Sequence, residues 1–345
     1  VGTGATAVTA RMVGAEDVKG ANRVVAQSVL IAFLCGVVSS LGLFIFAEPA
    51  MVIMGATGES LTQGVVYLRI ICIVFPVSSM IFVGGACLRG AGDTRTPLLV
   101  MAVVNVLNIV VAWVLVEGIG PFPALGVAGA AYGSALSRFL GGLIVFALLL
   151  RGRSGLRLRW RGLDREIMWR ILRVGLPASL DQLIFRFGSL VWIRIVASLG
   201  TVAFAAHQIV LNGESISFMP GWGFAVAATT LVGQGLGARD HVRAEKDALL
   251  AFYISAVFMS IMGVIFFLFP AQIVSLFTDD ADVIAMGTLP LRLIGLVQPF
   301  LAAMMVFSGS LRGAGDTLTP MLVNGASGWL LRIPLSLIVI EGFEG

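Results

Sequence analysis

Nine times along this chain, a predominantly apolar run of about twenty residues passes. That is the length a helix needs to cross roughly 30 Å of hydrocarbon at about 1.5 Å per residue. The expected spans lie near residues 24–46, 66–88, 98–116, 124–150, 171–199, 202–233, 248–269, 283–310 and 319–340, with residues 1–15 forming the end of another helix. The runs are continuous where a membrane barrel would alternate, so helices are expected. With 58% hydrophobic and 12% charged residues and a mean hydropathy of +0.99, the composition excludes a soluble domain. The predicted fold is an all-α, polytopic helical membrane bundle. The chain opens on VGTGATAVTA with no charged leader and stops at EGFEG just past an apolar run, so both ends read as cut.

Basic residues orient the bundle, because positive charge stays on the cytoplasmic side of a membrane. Of the 23 lysines and arginines, Arg69, Arg138, Arg186, Arg194, Arg292 and Arg332 fall in or near spans. The others fall in alternate loops, with the largest group between Arg151 and Arg173. The opposite loops carry acids such as Glu48, Glu59, Glu117, Asp279, Asp280 and Asp282. A cytoplasmic-membrane protein is expected, whose basic pI of 9.3 reflects contact with anionic membrane lipid rather than nucleic acid. Cys35, Cys72 and Cys87 all lie in apolar spans with no metal-binding spacing, and no metal or cofactor is predicted from them.

The decapeptide LRGAGDTRTP, from Leu88, returns as LRGAGDTLTP from Leu311, an offset of 223 residues. At the same offset Gly14, Ala15 and Asp17 fall on Gly237, Ala238 and Asp240, Leu68 and Arg69 on Leu291 and Arg292, and Pro76 on Pro299. Six spans separate the copies, an even number, so the chain reads as two homologous lobes of one orientation. The expected division is an N-terminal lobe at 1–150, a cytoplasmic linker at 151–170 and a C-terminal lobe at 171–345. The linker, with its arginines and with Trp160 and Trp169, suits a surface-lying amphipathic segment or a basic regulatory site.

Each decapeptide reads as a tight turn between two helices. Gly90 and Gly92 suit positive φ at a helix end, Asp93, Thr94 or Thr96 suits the next cap, Pro97 its first turn, and Arg89 the carbonyl end of the preceding helix. Arg312, Gly313, Gly315 and Asp316 repeat the pattern. A gating contact is the alternative role for these turns.

The paired turns, GVAGAAYGSALSR from Gly126, ASLGTVAFAAHQI from Ala197 and FMPGWGFAVAATTLVGQGLGARD from Phe218 resemble the multidrug and toxic compound extrusion (MATE) family over essentially the whole chain. The resemblance implies twelve helices in two six-helix lobes around a central cavity. It also implies export of small organic, often cationic, compounds in exchange for protons or sodium ions. On that plan the chain covers helices 3 to 11 with the end of helix 2, and lacks helix 1, where many members carry an acidic coupling residue, and helix 12. A monomer is expected.

In an apolar background, charge is informative, since a buried ionisable group costs at least about 2.5–3.5 kcal/mol on insertion scales. Only Asp181 and Glu214 are acids deep in spans. Either is a candidate to bind a proton or sodium ion in competition with a cationic substrate. The other reading is helix stapling, with Glu214 paired to Arg186, since level positions on the two helices add to about 400. Phe218, Gly221 and Trp222 share a face with Glu214 and offer cation–π contacts or simple packing. Pro220 and Gly221 form a candidate kink. Gln182, Asn212, Asn105, Asn108, Gln208, Gln298 and Asn324 suit either a cavity lining or interhelical hydrogen bonds, and His207 is a further titratable candidate. The alternative function is a flippase for lipid-linked saccharides or precursors, using Arg186, Arg194 and Arg332. No HExxH, GxSxG or paired membrane aspartates are present, so an enzyme is not expected.

Overall fold

The computed structural model describes residues 1–159, 162–336 and 338. Trp160, to which the linker reading gave an anchoring role, lies outside them. The helices are α1 (Gly2–Gly14), α2 (Val18–Ile45), α3 (Ala47–Ile53), α4 (Gly58–Gly90), α5 (Arg95–Glu117), α6 (Gly126–Arg151), α7 (Arg165–Ser198), α8 (Thr201–Gly237), α9 (His241–Leu268), α10 (Pro270–Ser275), α11 (Ala281–Ala314) and α12 (Leu318–Ala326). The last continues through a π-helical stretch at Ser327–Arg332.

Among the described residues, seven helices are long and apolar enough to cross a membrane: α2, α4, α5, α6, α8, α9 and α11. The other two expected spans differ for identifiable reasons. α7 has the length but carries Arg173, Asp181, Gln182, Arg186 and Arg194, which lower its hydropathy. The span expected at 319–340 divides into α12 and the π stretch, and its end lies outside the described residues. Residues such as Val38, Ile73, Ile109, Val257 and Phe300 are exposed, as expected where lipid is the solvent.

The chain forms two compact units, Val1–Leu172 and Arg173–Gly345. In the first, α4 packs against α1, α2 and α6, and α5 packs on α6. Small residues allow this: a Cβ on Gly133 would lie 2.7 Å from the Ala112 nitrogen, and one on Gly142 2.3 Å from the Val77 carbonyl. Asn108 Nδ2 donates to Ser134 Oγ at 3.0 Å, so Asn108 acts as interhelical glue. Cys87 is fully buried here and Cys72 nearly so, whereas Cys35 is exposed, and none is bonded. The segment after α6 also belongs to this unit. Leu156 is 1% exposed in its core, while Ile167 and Ile171 pack with Val8, Val24 and Ile31. It is therefore a strap docked through a few apolar side chains, with most of its other residues exposed.

In the second unit α11 packs against both α8 and α9. Gly309 and Gly313 lie against the backbone of Ala225 and Thr229, and Gly263 against that of Gly295. Gln298 is wholly buried and its Oε1 accepts from Ser217 Oγ at 2.8 Å, which makes it a helix-to-helix bond rather than a cavity lining.

The duplication is visible in each unit's internal geometry. Shifted by 223 residues, the starts of α2, α4 and α5 fall on those of α9, α11 and α12, and the end of α1 falls on that of α8. Thr6 Oγ1 donates to Ala86 O at 3.1 Å, and Thr229 Oγ1 to Gly309 O at 2.8 Å. Asp17 caps α2 through Gly20 N, and Asp240 caps α9 through Arg243 N.

The two turns match as well. Asp93 accepts from Thr96 N and Oγ1 at 2.9 and 2.6 Å, while Asp316 accepts from Thr319 N and Oγ1 at 3.0 and 2.6 Å. Gly92 and Gly315 take φ of +88° and +90°, as the turn requires. Gly90 does not, contrary to expectation. It is needed for close approach instead, since a Cβ there would sit 2.7 Å from Thr6 O, just as one on Gly313 would sit 2.4 Å from Thr229 O.

Candidate functional site

Within the second unit, three helices bring polar groups to one buried point and a fourth sets an aromatic ring beside it. Asp181, on α7, is 4% exposed. Arg312 Nη2, from the last turn of α11, donates to its Oδ2 at 2.6 Å, and Asn324 Nδ2, from α12, lies 3.4 Å from its Oδ1. The Arg312 guanidinium also stands over the Trp222 ring of α8, 5.8 Å from its centroid.

The local sequence explains this placement. The last turn of α11 is a favourable seat for a cation, because its carbonyls are unpaired. Gly315 then reverses the chain, and the Asp316 cap starts α12 so that Asn324 returns beside the pair. The pair is almost sealed, with side-chain exposures of 11% for Arg312 and 5% for Asp181. At such burial the carboxylate has traded water for a single strong, charge-assisted partner. Trp222 remains 41% exposed beside it, an open aromatic face next to a masked charge.

A second ionic layer lies about 16 Å further along α7, eleven residues at about 1.5 Å each. Arg332, closing the π-helical stretch, stacks over Trp192 of α7 at 4.3 Å. Trp192 meets His207 of α8 edge-on, with ring centroids 6.2 Å apart. Trp192 Nε1 and His207 Nε2 are buried with no hydrogen-bond partner among the described residues. Half-buried Glu214 and His207 both lie within electrostatic reach of Arg332. The Trp192–His207 contact agrees with the expected α7–α8 register. The π-helical turn, a rare form often found at functional sites, sets the position of Arg332.

The expected Arg186–Glu214 bridge does not form among the described residues, where Arg332 is the cation facing Glu214. Arg186 is level with Glu214 but sits about 140° round α7 from Asp181, at about 100° per residue, and is exposed. Gln182 and Asn212 are also exposed and lie outside both layers. Phe218 packs into an apolar cluster with Met259, Ala302 and Met305, and is packing rather than a flank for Glu214. Pro220 is accommodated within the unbroken α8, and Gly221 makes room for Met259 Sδ, which a Cβ would meet at 2.8 Å. Arg312 was expected only as a turn residue. Nothing in its local sequence announces a partner 131 residues away. Trp192 carried no signal beyond being aromatic. Among the described residues no cluster of three or more His, Cys, Asp or Glu is placed to hold a metal ion.

In the first unit, Asp93 is engaged differently from Asp316. Ser154 Oγ donates to it and Arg153 Nε lies 3.9 Å away, tying the strap to the first turn. Partial burial would raise the Asp93 carboxyl, but the bonds from Ser154 and Thr96 and the charge of Arg153 outweigh it and hold the group below its ordinary value. Asp316 is likewise held low, by the hydroxyl and amide of Thr319.

The chain as a whole is similar to known proteins. The chain is 35% identical to a probable multidrug resistance protein NorM of Thermotoga maritima over 99% of its own length and 74% of the relative's. It is 24% identical to a probable multidrug resistance protein YoeA of Bacillus subtilis, over 98% and 74%. The solved outward-facing structure of a multidrug resistance MATE family transporter of the MOP superfamily superposes with a TM-score of 0.90 at 25% identity, over 98% of this chain and 75% of that one. The sequence profile of the MatE family matches residues 1–114 and 177–338, and with the all-helical, multi-span architecture it identifies this chain as a member of the MatE family of multi-pass membrane transporters.

Proposed function

We propose that this chain exports small organic cations in exchange for protons, and that the carboxylate of Asp181 is where the two compete. The export of drug-like compounds rests on the relatives' names. The exchange rests on one observation, the nearly buried Asp181–Arg312 pair beside the open face of Trp222.

A carboxylate held this way has three mutually exclusive partners. Arg312 satisfies it at rest. A proton on Asp181 neutralises it and frees the guanidinium. A lipophilic cation, its apolar body against Trp222, takes the place of both. Since one charge serves all three, loading the proton lowers affinity for the substrate, which is the requirement for antiport.

A proton suits Asp181 better than sodium. Among the described residues, the polar atoms that meet this carboxylate are N–H donors from Arg312 and Asn324, company that suits a protonatable carboxyl better than a metal ion. Glu214, already facing Arg332, serves in this reading to fix the π-helical turn. The alternative of a flippase for lipid-linked precursors calls on Arg186, Arg194 and Arg332; Arg332 is stacked on Trp192, while Arg186 and Arg194 are exposed and form no ion pair among the described residues.

The test is uptake of a fluorescent lipophilic cation into everted membrane vesicles under an imposed pH gradient or an imposed sodium gradient. Uptake driven by the pH gradient alone is expected. Uptake driven by sodium alone would contradict the proposal.

A further inference from the structure

The strap between α6 and α7 closes over the first turns of α2. Arg157 N donates to Asn22 Oδ1 at 2.6 Å, and Gln27 Nε2 donates to Gly162 O at 2.8 Å. Between strap and helix lies a cavity of about 520 Å³, lined by Lys19, Arg23, Gln27, Arg159, Asp164 and Arg165 among others. Among the described residues, four cations therefore face one carboxylate. Asp164 is already used twice, by Arg23 at 3.3 Å and by the amide of Ile167 at 3.1 Å. Lys19, Arg159 and Arg165 form no ion pair among the described residues.

Gln27 supplies an independent requirement. It is 2% exposed, lines the same cavity, and its Oε1 accepts no hydrogen bond among the described residues. A buried acceptor without a donor is costly, so an occupant should bring a hydroxyl or amine as well as negative charge. The cavity also lies where α2, long and apolar enough to cross a membrane, begins its apolar run; such a start belongs near the lipid headgroups, on the side where basic residues gather.

We propose that this cavity binds a phosphate ester carrying free hydroxyls, and that its source is the headgroup of an anionic phospholipid such as phosphatidylglycerol. Lys19, Arg159 and Arg165 hold the phosphate, and Gln27 Oε1 accepts from a headgroup hydroxyl. The occupant clamps the strap, and with it the start of α7, onto α2. The proposal is independent of the Asp181 reading.

The test titrates delipidated full chain in neutral detergent with short-chain phosphatidylglycerol, phosphatidylcholine, phosphatidic acid or inorganic phosphate, reading affinity and melting temperature. Phosphatidylglycerol is expected to bind at least tenfold more tightly than phosphatidylcholine or inorganic phosphate. Lys19→Gln/Arg159→Gln should weaken it at least tenfold, while Arg95→Gln, at the start of α5 and outside the cavity lining, leaves it unchanged. Gln27→Leu should weaken phosphatidylglycerol more than phosphatidic acid, which has no headgroup hydroxyl. Native mass spectrometry of the wild-type chain from mixed micelles, which needs no variant, should show retained phosphatidylglycerol. Equal binding of phosphatidylglycerol and phosphatidylcholine, or full affinity in the double variant, would overturn the site. Inorganic phosphate binding as tightly as phosphatidylglycerol would overturn the lipid assignment.

Discussion

Arg312 and Asp181 meet at 2.6 Å across 131 residues of sequence, one at the end of α11 and the other midway along α7. Removing one member leaves the other charged, buried and alone. Arg312→Gln is therefore expected to lower stability by about 3–5 kcal/mol. The double variant Asp181→Asn/Arg312→Gln should lose less than the two single losses combined, because neither orphan charge remains. Unfolding in detergent checks this, and additive losses would show that the pair is not coupled.

The paired glycines of the two turns make a matched prediction. Gly90→Ala would place a methyl 2.7 Å from Thr6 O and Gly313→Ala one 2.4 Å from Thr229 O. In both cases the obstacle is backbone, so each variant should cost about 1–3 kcal/mol. Gly92→Ala and Gly315→Ala should be costly for a different reason, at about 1 kcal/mol for a side chain held at positive φ. Melting temperatures of the four variants check both the size of the effect and its symmetry between the units.

Asp93 and Asp316 predict acid sensitivity. Both carboxyls are held below their ordinary value in the folded chain. Each therefore contributes stability above the unfolded pKa of about 4, and loses it as pH falls through the lower folded value. The wild-type chain should destabilise below about pH 4, and Asp93→Asn or Asp316→Asn should flatten that slope. Thermal melts between pH 3 and 6 measure it.

Most of the scaffold was legible in the sequence because the duplication constrains it twice. Turn residues, caps and helix starts fall at the same offset, so Asp17 predicts Asp240 and Gly92 predicts Gly315. The ionic layers were only half legible. Asp181 and Glu214 stand out because charge is rare in apolar spans, but their partners do not. Arg312 looks like a turn residue because its first-unit counterpart Arg89 occupies the same local pattern. Arg186 was the wrong partner for Glu214 because matching depth along two helices leaves the facing direction undecided, and about 140° of rotation carries Arg186 away. In the strap the arginines dominate the composition, while the residues that fix where it docks, Leu156, Ile167 and Ile171, carry no signal beyond being apolar.

Glu214→Gln separates the two acids. It removes a charge facing Arg332, not one shared with substrate. It should leave the pH dependence of substrate binding intact while changing the protection of the Ser327–Arg332 turn in hydrogen exchange. Loss of that pH dependence in Glu214→Gln would transfer the coupling role to Glu214.

The most direct test of proton and substrate competing at Asp181 is the affinity for a lipophilic cation such as ethidium across pH 5–8, in the wild-type chain and in Asp181→Asn. Competition predicts a wild-type Kd that weakens as the pH falls, and an Asp181→Asn Kd that does not change with pH. An unchanged pH dependence in Asp181→Asn would contradict the account.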